Sequence, residues 1–536
     1  GPVIEDGVLY AAAGVWPFQG IFIFALDARS GEVKWLNSGT GSDFQLHQHG
    51  GAYAFGGIAP QGYLAVSGDR LVVSGGRTVP AVYDKHTGDQ LHFKMDSGTV
   101  GKGAGGYQVR AAGDWYFNSG CIRPGRAYDL LTGEPAAEPP VSVISEGMLL
   151  GSFGDTLYAT EMASLDGLDD PDDLKFYYKS SIPGLDRLHI RAGNRLYASA
   201  EGGRILSMAV KGGNGAPAFG EPMELQETVE GEVFAMVAGA DRLFVVTETG
   251  SLYCFGGGKR EVQHREWHPD PAASARSATA RRRAAAILEK AGEPEGYALV
   301  LGAGTGDLLN ELLLRTTLHV VVVEPDGARA GAVREHLVRT GMHGSRASVL
   351  AGDLERYALP PYLFNLITAE NLTAARGALG SAALDLLAAS LRPYGGTLCI
   401  PLGEGDRELA GKWTTEAELA QFAVEADGDH LVVRREGALP GAGQWTHQYA
   451  DASNSNFSSD VLAKAPLGVL WFGGPSNENV LPRHGQGPVP HVTAGRIILP
   501  GVDCISARDV YTGRELWVHN LPGAGDPFTN LELEAT

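Results

Sequence analysis

Apolar residues along most of the chain fall in short, strand-length runs separated by turns rich in Gly, Asp, Ser and Thr. One unit recurs: a small turn containing Gly or Asp, an apolar strand, a gap, then Asp-x-x-Ser/Thr-Gly and another strand. The second turn stands at Asp27–Gly31, Asp84–Gly88, Asp129–Gly133 and Asp509–Gly513. Its Asp carboxylate can accept from backbone N–H groups two or three residues on, and its Gly supplies positive φ. The flanking strands, such as Ile21–Leu26 and Val33–Trp35, are then expected to pair as a hairpin. The first turn recurs at Asp6-Gly7, Gly68-Asp69, Gly154-Asp155, Gly193-Asn194 and Ala240-Asp241, and more loosely at Gly113-Asp114. From Leu71 the anchors that follow it fall at Trp115, Leu157, Leu196 and Leu243, in steps of 44, 42, 39 and 47 residues. Such steps match four-stranded propeller blades of about 40 to 50 residues. A longer first step, Leu9 to Leu71, leaves room for an insertion at Leu36–Gly57.

The texture changes after Leu252–Phe255. Gly256–Lys259 and Trp267–Pro271 read as a linker, and Ala272–Leu288 has helical composition. Strands are then expected at Tyr297–Leu301, His319–Val323, Ser348–Ala351, Phe364–Ala369 and Thr397–Pro401. Helices are expected at Leu308–Leu314, Ala328–Arg339 and Ser381–Leu391. Continuous apolar strands alternating with helices indicate a parallel sheet covered on both faces. The repeat signature returns after Gly441. The expected domains are therefore repeats over 1–257, an α/β domain over 258–440 and further repeats over 441–536.

The Ala-Leu-Asp-x-x-Ser-Gly-x-x-x-Trp string of Ala25–Trp35 and the Val-Tyr-Thr-Gly-Arg-Glu-Leu-Trp string of Val510–Trp517 resemble the pyrroloquinoline-quinone-like (PQQ-like) propeller repeat. The resemblance implies an all-β propeller of seven or eight blades, which this chain need not complete. It does not imply the quinone. Quinone-dependent dehydrogenases of that family carry vicinal cysteines, whereas Cys121, Cys254, Cys399 and Cys504 lie far apart. Each is expected to be a small buried hydrophobe.

Candidate chemistry lies in Val300–Asp307, where a strand runs through Gly302-Ala303-Gly304-Thr305-Gly306 into a helix and lets a ligand approach the backbone closely. Glu324 follows Gly302 by 22 residues at the end of the next strand, placed to take two ribose hydroxyls. Asp353 ends a third strand, placed to meet an adenine amino group, with Leu354 flanking the ring. A nicotinamide-binding domain would ordinarily show G-x-G-x-x-G. The G-x-G-x-G spacing, Glu324, Gly352-Asp353 and Arg392-Pro393-Tyr394-Gly395-Gly396 together resemble the class I S-adenosylmethionine (SAM)-dependent methyltransferases, whose domain is Rossmann-like. By that resemblance Leu301, Gly302, Ala303, Gly304, Gly306, Glu324, Asp353 and Leu354 would bind SAM. The amino-group methyltransferases often carry Asn/Asp-Pro-Pro-Tyr/Phe after the fourth strand. Here that place reads Ala369-Glu370-Asn371-Leu372, which counts against DNA or glutamine as substrate. Glu370 is the candidate catalytic residue, holding an amine or guanidinium, and its alternative role is a solvated helix cap.

Composition then narrows the classes. A net charge of −20 argues against nucleic acid or an anionic membrane as partner. With 44% hydrophobic and 20% charged residues the chain is not disordered. Length, 536 residues, allows three to four domains of about 150 residues. No run is long enough for a transmembrane helix. Glycine, 74 residues, is about twice ordinary usage, as many tight turns require. A start at Gly1-Pro2, directly before a strand, reads as a fragment or processed form. Arg281-Arg282-Arg283 reads as the exposed side of a helix. His47, His49, His484 and His491 read as loop histidines, with no metal expected. Trp16-Pro17-Phe18 and Trp471-Phe472 are expected to pack between blades. The reading that results is an enzyme: a SAM-dependent methyltransferase whose propeller recruits or presents a protein or small-molecule acceptor. The alternative is a non-catalytic propeller scaffold with a degenerate insert. The methyl donor is cytosolic, which favours the cytoplasm, although many PQQ-like propellers are exported.

Overall fold

The Asp-x-x-Ser/Thr-Gly turns fold as their chemistry requires. Asp27 Oδ1 accepts from the amides of Arg29 and Ser30 at 3.0 and 2.9 Å. Asp84 does the same with His86 and Thr87, Asp129 with Leu131 and Thr132, and Asp509 with Tyr511 and Thr512. The closing glycines, Gly31, Gly88, Gly133 and Gly513, all have positive φ, between 69° and 79°. The computed structural model describes residues 1–14, 20–39, 43–46, 53–76, 78–93, 105–119, 126–168, 170, 173–211, 218–225, 227–257, 268–270, 277–292, 295–380, 384–417, 419, 421–425, 428–464, 468–474 and 489–524. The chain divides into two compact units, Gly1–Val262 and Gln263–Thr536.

Gly1–Val262 is built of small antiparallel sheets, consistent with a propeller. The first pairs Val3–Glu5, Val8–Ala13, Phe22–Asp27 and Val33–Asn37 in sequence order, and the second pairs Leu64–Ser67, Arg70–Gly75, Thr78–Asp84 and Gln90–His92. Further sheets of three to five strands begin at Gln108, Val143, Leu185 and Val233. A separate two-stranded ribbon, Asp43–Leu46 with Tyr53–Gly56, falls in the expected insertion. Rings interlock successive repeats. The Trp35 indole N–H donates to the Lys85 carbonyl at 3.0 Å, and a Cβ on Gly88 would run into the Trp35 ring. His92 meets the Leu130 carbonyl at 3.1 Å and lies against Gly133 in the same way. Glycine at this turn thus serves twice, through its φ and through the space it leaves for a ring.

Within Gln263–Thr536 lies a seven-stranded sheet: β1 (Tyr297–Leu301), β2 (His319–Glu324), β3 (Ala347–Ala351), β4 (Leu366–Ala369), β5 (Thr397–Pro401), β6 (Ala423–Glu425) and β7 (His430–Arg434). Their order is β3-β2-β1-β4-β5-β7-β6, parallel from β3 to β5, with β7 antiparallel to β5. Six helices accompany it: α1 (Ala278–Ala291), α2 (Asp307–Arg315), α3 (Gly327–Arg339), α4 (Leu372–Leu379), α5 (Leu384–Ser390) and α6 (Asp406–Glu416). Ala284, Ile287, Leu312 and Leu337 of the first three helices bury against Val300, Val320 and Val322. Leu372, Ala375 and Leu387 of α4 and α5 bury with Leu299, Ile367 and Leu398 on the alternate strand positions. Both faces are therefore covered, which explains the uninterrupted apolar strands. Helix α1 is capped by Ser277, with Arg281 and Arg282 exposed. Its expected opening at Ala272 lies outside the described residues.

A four-stranded antiparallel sheet, His491–Thr493, Arg496–Pro500, Cys504–Asp509 and Glu515–Asn520, completes this unit. It meets the parallel sheet at the amino ends of its strands. Arg392, five residues before β5, donates through Nε to Asp509 Oδ2, and both side chains are buried. Arg514 pairs with Glu295 ahead of β1 at 2.9 Å, and the Tyr362 and Tyr511 rings meet edge to face ahead of β4. Trp471 donates to the Val510 carbonyl at 2.9 Å and lies against Gly513, whereas Phe472 is exposed. The expectation for Trp16-Pro17-Phe18 lies outside the described residues. Cys399 and Cys504 are buried as expected, but Cys254 is exposed. Its position on the outermost strand of its sheet, Leu252–Gly256, accounts for this; Cys121 lies outside the described residues. Among the described residues, no helix is long and apolar enough to cross a membrane.

Removing one partner of a buried ion pair leaves the other charge uncompensated. Arg392→Ala should therefore destabilise the transition that carries this unit by about 3–5 kcal/mol in urea denaturation of the full chain. A loss below about 0.5 kcal/mol would mean that Asp509 is not held by this charge.

Candidate cofactor site at the carboxyl edge of the parallel sheet

Where β1 ends, the backbone turns through Gly302, Gly304 and Gly306, with φ of 76°, 53° and 83°, and enters α2. Gly304 lies close against the Glu370 carboxylate, which a Cβ there would have to displace. Two hydrogen bonds tie this loop to β2, and a third ties the end of β3 to β2. Gly302 N–H donates to the Val323 carbonyl at 2.8 Å, Ala303 N–H to Glu324 Oε2 at 2.8 Å, and Gly352 N–H to the Glu324 carbonyl at 2.9 Å. The ends of β1, β2 and β3 are thus gathered around one residue.

Glu324 is 1% exposed, so its charge needs local compensation. Oε1 accepts from Asp326 N–H at 2.9 Å and from Arg329 Nε and Nη2 at 3.2 and 3.0 Å. Burial on its own would raise the carboxyl pKa. The Arg329 bonds and the two amides outweigh it, so the pKa is held below the ordinary glutamate value. Asp353 follows β3 in extended conformation and is half-buried. Its Oδ1 is buried and has no hydrogen-bond partner among the described residues. Such an atom is costly unless a ligand or water satisfies it.

Leu301 and Ala303 are buried, and Leu354 packs into the core beside Leu301, Val323 and Leu379. Glu370 follows β4 and is half-buried, its Oε1 3.5 Å from the Thr305 hydroxyl. The cap of α4 is Asn371, which accepts from Ala374 N–H at 2.8 Å. Glu370 is therefore free of capping and lies against the glycine loop. Glu324, Asp353, Glu370 and the glycine loop share one edge. Arg329 and Thr305 also belong there and were not singled out in the sequence. An arginine five residues past an acid is a helix-surface residue by pattern, and only the turn from β2 into α3 brings it back. His47, His49 and His484 lie outside the described residues. Among the described residues no group of three or more His, Cys, Asp or Glu is placed to hold a metal.

No family model matches the chain, and no curated protein matches it. Similar solved structures include BamB from Moraxella catarrhalis, at 13% identity and TM-score 0.28, covering 49% of this chain and 84% of that one. A putative SAM-dependent methyltransferase from Methanococcus maripaludis is 13% identical with TM-score 0.24, covering 30% of this chain and 86% of that one. A SAM-dependent methyltransferase from Geobacter sulfurreducens in complex with S-adenosyl-L-homocysteine is 22% identical with TM-score 0.20, covering 26% and 50%. At such scores these likenesses carry no argument, and the geometry above stands without them.

The depressed Glu324 pKa sets a sign. Its contribution to stability is full above the unfolded glutamate pKa of about 4.3 and is lost as pH falls through the lower folded value. The urea midpoint of the wild type should exceed that of Glu324→Gln near neutrality, and the gap should narrow as the pH falls below the unfolded glutamate value. A gap that widens on acidification would contradict this account of Glu324.

Proposed function

We propose that the chain is a SAM-dependent methyltransferase, its α/β domain a class I domain carried with PQQ-like propeller repeats that recruit or present the acceptor. The observation that carries the reading is the unpartnered Oδ1 of Asp353, on the same edge as the ionised Glu324 and the glycine loop. These residues fit the donor. Glu324 would take the ribose hydroxyls, Asp353 would accept from the adenine amino group, and Gly302, Gly304 and Gly306 leave room for the methionine portion. When bound, SAM supplies a methyl group on a sulfonium.

The rest of the task is placement. Methyl transfer is an in-line displacement, and holding the acceptor close and aligned contributes much of the rate. Glu370, beside Gly304, is placed to hold a cationic or hydrogen-bonding amine or guanidinium there. The C-terminal sheet meets the amino edge, so in this reading it braces the domain, and recruitment falls to the other repeats.

Calorimetry of the full chain with SAM and with S-adenosyl-L-homocysteine should show binding. Loss of a buried hydrogen bond to a charged group makes Glu324→Ala and Asp353→Ala weaker by about tenfold or more. Glu370→Gln should keep that affinity and lower transfer of labelled methyl groups into acceptors of a cell lysate. Wild-type protein that binds neither ligand would overturn the reading.

A further inference from the structure

Four hydrogen bonds reach the Glu324 carboxylate, from Ala303 N–H, Asp326 N–H, Arg329 Nε and Arg329 Nη2. Three of them reach Oε1 and one reaches Oε2, so with about two acceptor sites on each oxygen Oε1 is filled and Oε2 keeps one site. The two amides are fixed by the backbone of the glycine loop and of the turn into α3. The Arg329 side chain is different: it is 57% exposed, while the carboxylate beneath it is 1% exposed. A ribose that donates one hydroxyl to each oxygen of Glu324 needs a site on Oε1 and a route to a covered group. Arg329 can supply both by moving, and the two backbone donors can supply neither.

We infer that Arg329 is an exchangeable latch on the ribose-binding carboxylate: it pairs with Glu324 in the free protein and is displaced by the two ribose hydroxyls of an adenosyl ligand. The inference rests on the proposed reading of the site. In the free protein the latch keeps a buried carboxylate ionised and covered. On binding, the guanidinium moves into water, on a side chain that is already 57% exposed. Arg329 is then a specificity-determining residue that sets affinity by competition. Each ligand that docks a cis-diol on Glu324 must pay the same exchange, and a deoxyribose, with one hydroxyl fewer, regains only part of it.

The test is calorimetry of the full chain with SAM and with adenosine, comparing wild type, Arg329→Ala and Arg329→Lys. Water reaches the pair from its Arg329 side and weakens it, so removing the latch should tighten both ligands by about two- to fivefold, with the lysine variant between. Salt gives a second readout that a merely structural role would not move. Raising it from about 50 mM to about 0.5 M should tighten wild-type binding by screening the latch, and leave Arg329→Ala nearly flat. Binding by the wild type that is unchanged or weaker in Arg329→Ala would overturn the inference and make Arg329 a positioning residue for Glu324. Absence of binding in all three proteins would instead overturn the reading of the site.

Discussion

The hydrogen bond from the Ala303 amide to the buried Glu324 carboxylate joins the glycine loop to the neighbouring strand, and the candidate site is organised around it. Glu324 also takes Gly352 N–H on its backbone carbonyl, so one residue sets the relative heights of three strand ends. The arrangement favours the charged carboxylate. Burial opposes that charge, and Arg329 with two amides maintains it. The geometry of the loop and the covering of the edge are therefore tied to this ionisation.

At the opposite edge the same unit uses charge for bracing. The buried Arg392–Asp509 pair joins the turn before β5 to the C-terminal sheet, and Asp509 also caps its own turn through Oδ1. One carboxylate thus serves a repeat-local role and a long-range one, with one oxygen for each. Bracing at the amino edge leaves the carboxyl edge to the glycine loop, Asp353 and Glu370. This division agrees with the general rule that open α/β sheets bind ligands outside the carboxyl ends of their strands.

Much of this was legible in the sequence because it is encoded locally. The Asp-x-x-Ser/Thr-Gly turns depend on atoms within five residues, and all four form as expected. Strands β1 and β5 match their expected bounds, and the acid 22 residues beyond Gly302 does end β2. What was not legible depends on contacts between distant segments. Strands β6 and β7 show no distinctive pattern: β7 is ordered by pairing with β5, and β6 by pairing with β7. The partner of Arg392 lies 117 residues away, and nothing in its own turn announces Asp509. Arg329 reads as surface until the turn after β2 brings it over Glu324. Leu354 reads as a ring-flanking residue, yet its side chain belongs to the core, since the helical turn at Leu354–Arg356 directs it inward.

The central claim is that the carboxyl edge of the parallel sheet holds SAM through Glu324, Asp353 and the glycine loop. Ultraviolet cross-linking of radiolabelled SAM to the full chain, followed by peptide mapping, tests it most directly. The account predicts label confined to peptides spanning Leu301–Glu324 and Gly352–Leu354, and lost in competition with unlabelled S-adenosyl-L-homocysteine. Label that maps to the antiparallel sheets of Gly1–Val262, or that resists the competitor, would contradict it.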